Sequence, residues 1–204
     1  MTNHQIQHRP WLLLGAFSLL LFLITAATYS SLGVVIPAMV PELGWSWQNA
    51  FLGFTVMGVA TGASSWLPTL LIRRWGVRAT LVAGAAVMAA GLALLARVQS
   101  LPAYFLATAL LGVGFQAAAL IPGTHVLSAI FRQRALPFGI YFTSGALGGV
   151  AGPLLVLASQ DVFDGQWRMY WALQAVVIGL LGLVCAAVVG GPKWLEEAGR
   201  AMDR

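Results

Sequence analysis

The residues of this chain whose types suit chemistry are uncharged. Thr25, Thr28 and Tyr29 follow a helical spacing, with Ser18 a further two turns back. Gln116 stands in the middle of another apolar run, and Tyr141, Thr143 and Ser144 cluster in a third. Hydroxyls and a carboxamide give and take hydrogen bonds but carry no charge to attack, coordinate or protonate with. His125, near the end of the Gln116 run, is the only ionisable group inside any apolar run. An ionisable residue at membrane depth is a functional candidate, and a histidine side chain can relay a proton, so His125 is the candidate for a proton-linked step. A histidine at a helix end facing the interface is the competing reading. Cys185 is the single cysteine, placed as a small hydrophobe, and excludes an intrachain disulfide. No Cys/His metal set, serine triad or carboxylate pair can be assembled. No catalytic residue, metal or cofactor is therefore expected, and the protein is not expected to be an enzyme.

The elements that hold these groups are set by composition. Charged residues make up 8% of the chain and hydrophobic ones 59%, whereas a soluble domain carries about a quarter charged residues. The net charge of +5 does not point to nucleic acid, because the aromatics lie in or beside apolar runs rather than on a basic soluble module. A helix crosses the hydrocarbon core in about 20 residues. Six runs qualify: about Trp11–Ile36, Ala50–Ile72, Ala79–Ala96, Leu101–Ile130, Ala135–Ala158 and Met169–Gly190. Helices rather than open sheets are expected, since each span must satisfy its own backbone. The breaks are short, so one six-helix unit (11–190) is expected, between a solvated leader (1–10) and a charged, amphipathic tail (191–204). The first run is too long for a signal-peptide core and is expected to be retained.

Orientation follows from the basic residues. With the N-terminus inside, the inner segments hold Arg9, Arg73, Arg74, Arg78, Arg132, Arg134, Lys193, Arg200 and Arg204, and the outer ones only Arg97 and Arg168. That asymmetry predicts two cytoplasmic ends. Tryptophans at 11, 45, 47, 167, 171 and 194 fit interfacial belts.

The loop after the second run, "LLIRRWGVR", resembles the Gly-x-Leu-x-Asp-Arg-x-Gly-Arg-Arg signature of the major facilitator superfamily at the same place. Leu71, Arg74, Gly76 and Arg78 match, while Thr69, Arg73 and Val77 depart. "YSSLGVVIPAMVPELGWSW" (Tyr29–Trp47) is similar to the first-helix exit of monocarboxylate and oxalate–formate carriers. Leu111–Pro153 looks like helices four and five of that branch, with Phe131, Arg132 and Arg134 before a small-residue helix. The resemblance covers residues 10 to 190 and implies the N-terminal six-helix half of a twelve-helix secondary carrier in the inner cell membrane. Small organic anions are the implied substrates, with a drug or metabolite exporter of the superfamily, or a non-transporting six-helix module, as alternatives. Its partners would be membrane lipid, a small-molecule substrate, and a C-terminal half or a second copy, with no nucleic acid. It places Arg74, Gly76 and Arg78 in a conformational loop, against a plain topological anchor. Thr108 stands where the antiporter signature has an arginine four residues before Gly112, and Ser30 falls near the first-helix lysine of monocarboxylate carriers.

In this family helices one, four and five line the central cavity. The resemblance therefore implies a cavity containing Thr25, Thr28, Tyr29, Gln116, Tyr141, Thr143 and Ser144, against the alternative that these groups tie helices together. Gly53 and Gly139, and Gly62 and Gly148, lie 86 residues apart, and Pro37/Pro122 and Pro68/Pro153 lie 85 apart. That spacing is the mark of an inverted repeat of three plus three helices. Gly145, Gly148 and Gly152 stripe one helix face and read as a close-packing seam.

Overall fold

The computed structural model describes residues 3–189, with side chains from Pro10 onward, and among them every regular element is helical. Helix α1 runs without interruption through Asn3–Thr25, a π-turn at Ala26–Ser30, and Ser31–Leu43. The remaining helices are α2 (Trp47–Ala63), α3 (Leu67–Ala96), α4, α5 (Ala135–Val162) and α6 (Trp167–Val188). Like α1, α4 has a π-turn inside it, as Leu101–Phe115, Gln116–Leu120 and Ile121–Ile130. The predicted tail, 191–204, lies outside the described residues. The predicted leader is not separate from the first helix, whose backbone is already helical at Asn3.

Among the described residues five helices are long and apolar enough to cross a membrane: α1, α3, α4, α5 and α6. At 17 residues α2 falls short of the about 20 that a span usually takes. The expected second run, Ala50–Ile72, is divided by a turn after Ala63, and the chain resumes as the start of α3. Helix α3 is itself broken at Gly76, whose φ of 84° and ψ of 168° belong to a region open in practice only to glycine. Two anchors hold the stretch on either side of this break. Tyr104 Oη donates to Ala50 O, near the start of α2, at 2.7 Å, and Arg78, two residues past Gly76, reaches Ala186 at the far end of α6.

The first helix outruns its predicted end at Ile36, continuing through Pro37 and Pro41 to Leu43. Proline is tolerated in a membrane helix when neighbours re-satisfy the backbone. The stop comes at Gly44, left-handed at φ 66°, whose N–H bonds to Val40 O, the C-cap geometry that glycine permits.

Packing pairs the helices twice in the same manner. Helix α5 lies along α1 as α2 lies along α4, while α3 lies along α6. Glycine makes each approach possible. A Cβ on Gly148 would strike the backbone carbonyl of Phe22, and one on Gly152 would come within 2.6 Å of Ala26 O. Gly112 of α4 meets the backbone of α2 at Met57 in the same way, and Gly182 of α6 meets Ala85 of α3.

One polar staple closes the end of the bundle opposite the arginine loop. Glu42 accepts from the indole of Trp167 at 2.6 Å and is ion-paired with Arg168. The same guanidinium lies 4.1 Å from the Trp167 ring centroid and donates to Val98 O at 3.1 Å. An exposed ion pair alone contributes little, but here three chain segments meet on one carboxylate and one guanidinium. Sequence reading had counted Arg168 only as an outer charge.

Two substitutions test the seam against glycine content in general. Gly148→Ala forces a methyl into backbone, and overpacking of this kind costs about 1–3 kcal/mol. Gly58→Ala meets nothing within 4 Å. Thermal unfolding of the purified chain should show a clearly lowered midpoint for Gly148→Ala and an unchanged one for Gly58→Ala.

Candidate functional site

The two π-turns, Ala26–Ser30 on α1 and Gln116–Leu120 on α4, carry the polar chemistry of the bundle interior. A π-turn inserts a residue into the helical ladder and leaves carbonyls short of their usual donors, and it recurs at functional sites. Here side-chain hydroxyls supply donors, one from another helix and one from the same helix. Tyr141 Oη of α5 donates to Ala119 O at 2.8 Å. Ser31 Oγ bonds Ala26 O and shares a hydrogen bond with Tyr170 Oη of α6.

A second set of contacts joins three helices at these turns. Tyr29 Oη is 3.0 Å from Thr61 Oγ1 of α2, and Gln116 Nε2 donates to Thr61 O at 3.2 Å. The Tyr29 ring stands edge-on to Phe115 with centroids 5.8 Å apart. Gln116 is buried and its Oε1 has no hydrogen-bond partner among the described residues. Tyr29 and Thr61 are half-buried, and beside them Gly58, Val59 and Gly62 of α2 are exposed. This polar cluster therefore borders an open face of α2.

The other predicted cavity residues divide. Thr28 is fully buried and its hydroxyl bonds back to Ile24 O at 2.8 Å within its own helix. Tyr141 is fully buried between α5 and α4. Ser144 bonds Ile140 O at 2.8 Å, again within its own helix, and Thr25 is half-buried beside α5. Thr143 is exposed. The structure thus brings Tyr29 and Gln116 together and leaves Thr28, Tyr141 and Ser144 in helix contacts. His125 is exposed near the end of α4, and Ser128 Oγ donates to its carbonyl at 2.9 Å. Gly145, Gly148 and Gly152 lie buried along α1.

Thr61, Ser31 and Tyr170 were not singled out from the sequence. Thr61 offered a local signal, a lone hydroxyl among the small residues of "GVATGA". Ser31 and Tyr170 gave none, because their roles depend on a π-turn that no spacing announces.

The loop arginines also part company. Arg78 donates from Nε to Ala186 O at 2.9 Å and from Nη2 to Ala187 O at 3.5 Å, so it covers the last carbonyls of α6. Cations at a helix C-terminus interact favourably with its dipole. Arg74 instead sits over its neighbour Trp75, 5.8 Å from the ring centroid, and Arg73 is exposed. An apolar groove of α3 and α6, with Val82, Ala86 and Leu183, begins at Arg78.

The model of the Major Facilitator Superfamily matches residues 11–201. The chain belongs to this superfamily. It is accordingly an integral membrane protein of a transporter family, and its expected task is moving a small solute across the bilayer. No curated protein matches the chain.

The Tyr29–Thr61–Gln116 cluster can be checked by substitution within an assembly competent for uptake. Gln116→Ala and Tyr29→Phe should each lower apparent solute affinity by about three- to tenfold, the effect of one hydrogen bond, with membrane level unchanged. Ser144→Ala, which removes a bond within one helix, should leave affinity as it was.

Proposed function

We propose that this chain is the N-terminal six-pass half of a secondary carrier for a small organic anion such as a monocarboxylate. The observation that carries the reading is the polar cluster itself. Tyr29, Thr61 and Gln116 converge from three helices at two paired π-turns and border an open face, unlike the buried polar groups such as Thr28 and Tyr141 that lie in helix contacts. Carriers of this type bind solute near the midplane, where irregular helices meet.

Six passes are counted by treating Gly76 as the reversal. Residues 47 to 75 then form one broken crossing and 77 to 96 the return. In that count α1 and α4 head two equivalent triplets, and the pairings of α5 with α1 and of α2 with α4 are those that an inverted repeat requires. The wholly apolar exposed face of α6, with Leu173, Val176, Leu180 and Leu183, suits lipid. The open face of α2 and α5 is left for the second half, either a C-terminal six-helix segment or another copy. The basic asymmetry favours two cytoplasmic ends, and the likeness to oxalate–formate carriers of this superfamily favours the inner cell membrane. An exporter of another solute class, or a module without transport of its own, is the alternative.

Reporter fusions test the orientation. Fusions at Trp75 and Gln133 should report the cytoplasm and those at Val98 and Asp164 the outside. Reversal of any one of these would overturn the six-pass count.

The arginine loop supplies a second test. Lysine keeps charge but loses the guanidinium fork. Arg78→Lys should therefore slow uptake several-fold, since Arg78 alone of the three holds the carbonyls of α6. Arg73→Lys and Arg74→Lys should transport at the unaltered rate. Equal rates for all three lysine variants would reduce the loop to a topological anchor.

A further inference from the structure

Helices α3 and α6 touch through small residues, and the surface outside that contact is hollow. Gly182 meets Ala85, and Gly179 lies beside Ala89. Two hollows follow the seam. One, of about 510 Å³, is lined by Arg78, Val82, Ala83, Ala86 and Leu183. The next, of about 280 Å³, is lined by Val82, Ala86, Ala175, Gly179 and Leu183. Val82, Ala86 and Leu183 belong to both, so the two form one groove. Its side chains are apolar except for Arg78, at one end. Between Ala175 and Ala187 of α6 the groove covers about 18 Å, at roughly 1.5 Å per residue. One leaflet holds about half of a hydrocarbon core of about 30 Å. The groove also lies on the apolar side of α6, where Val176, Leu180 and Leu183 are exposed.

Arg78 gives Nε to Ala186 O and Nη2 to Ala187 O. Its Nη1 makes no hydrogen bond among the described residues, and the residue is exposed. Arg73 and Arg74 stand in the same loop, while the described acidic residues, Glu42, Asp161 and Asp164, belong to the other end of the bundle.

We infer that this groove binds an anionic phospholipid, with one acyl chain along Val82, Ala86 and Leu183 and the phosphate on Arg78 Nη1. A guanidinium with free N–H groups suits a phosphate oxygen. A zwitterionic lipid would bring an ammonium group to an end that already carries three arginines. A free phosphate would use none of the groove. A second copy of the chain seated here would cover Arg78 without a carboxylate, among the described residues of that end, to meet it.

The test is the lipid concentration that half-maximally raises the thermal midpoint of the full chain in detergent micelles, each variant referred to its own lipid-free midpoint. Phosphatidylglycerol should act at about fivefold lower concentration than phosphatidylcholine of the same acyl chains, the effect of one cation at an anionic headgroup. Glycerol phosphate, which has no chains, should be inert. Arg78→Gln should abolish the preference, and Arg73→Gln should keep it. Ala86→Trp fills the groove and should weaken both lipids several-fold, whereas Leu106→Trp, at an exposed position of α4, should weaken neither. Equal action of the two lipids overturns the headgroup assignment, and stabilisation by glycerol phosphate reduces the site to an anion contact. Loss of the preference in Arg73→Gln as complete as in Arg78→Gln reduces it to diffuse attraction by the loop. Indifference to Ala86→Trp removes the groove, and a change of oligomeric state in that variant assigns the groove to a second copy. Each of these results overturns the proposal.

Discussion

Hydrocarbon gives a peptide group nothing to bond to, and that constraint governs this molecule. A carbonyl released from the helical ladder inside a membrane must find a donor within the protein, at a cost of several kcal/mol otherwise. Among the described residues the chain releases such groups at the π-turns of α1 and α4, as well as at the prolines inside α1 and α5. Around the turns it gathers the buried hydroxyls of Thr28, Ser31, Tyr141 and Tyr170, while others such as Thr80 and Tyr104 serve carbonyls elsewhere. Ser31 and Tyr141 each reach a turn carbonyl, and Tyr170 ties α6 to the first. The polar groups at the turns thus go with the backbone irregularity, and the irregularity in turn holds Tyr29 and Gln116 toward α2.

Such placement demands close helices. Without a hydrophobic drive between helices in lipid, association depends on backbone contact across small residues. Gly112, Gly148, Gly152 and Gly182 each lie where a methyl group would collide with a neighbouring helix. The Thr61 contacts exist only because α2 rides on Gly112, whose carbonyl is itself 3.4 Å from the threonine hydroxyl. Packing and site are therefore one structure, while Gly76 and Arg78 join α2, α3 and α6 at the basic end.

Much of this was legible in the sequence. Apolar length announced the spans, because a helix in lipid must be apolar throughout, and the glycine stripe at 145, 148 and 152 announced a seam by its spacing alone. Tyr29 and Gln116 stood out as bulky polar groups in apolar runs. Other features were hidden for physical reasons. Pro37 and Pro41 look like stops, yet the helix runs through both to Leu43, as membrane helices tolerate. The division of the second run at Ala63 is flanked by Gly62 and Pro68, but glycine and proline also occur inside the other spans of this chain and so do not single it out. Thr61 looks like any threonine that could bond back to its own helix, and it does so with Met57 O; its contacts with Tyr29 and Gln116 come from two partners 32 and 55 residues away along the chain.

The account divides the surface into a solute-facing side, with Gly62 and Thr143, and a lipid-facing side, with Val176 and Leu183. Cysteine placed at each of these four positions, in a Cys185→Ala chain in native membranes, measures that division through reaction with a membrane-impermeant thiol reagent. The account predicts rapid labelling at Gly62→Cys and Thr143→Cys and none at Val176→Cys or Leu183→Cys. Labelling that fails at the first two as it does at the second pair would contradict it, because the polar cluster would then open onto lipid or protein and no solute could reach it.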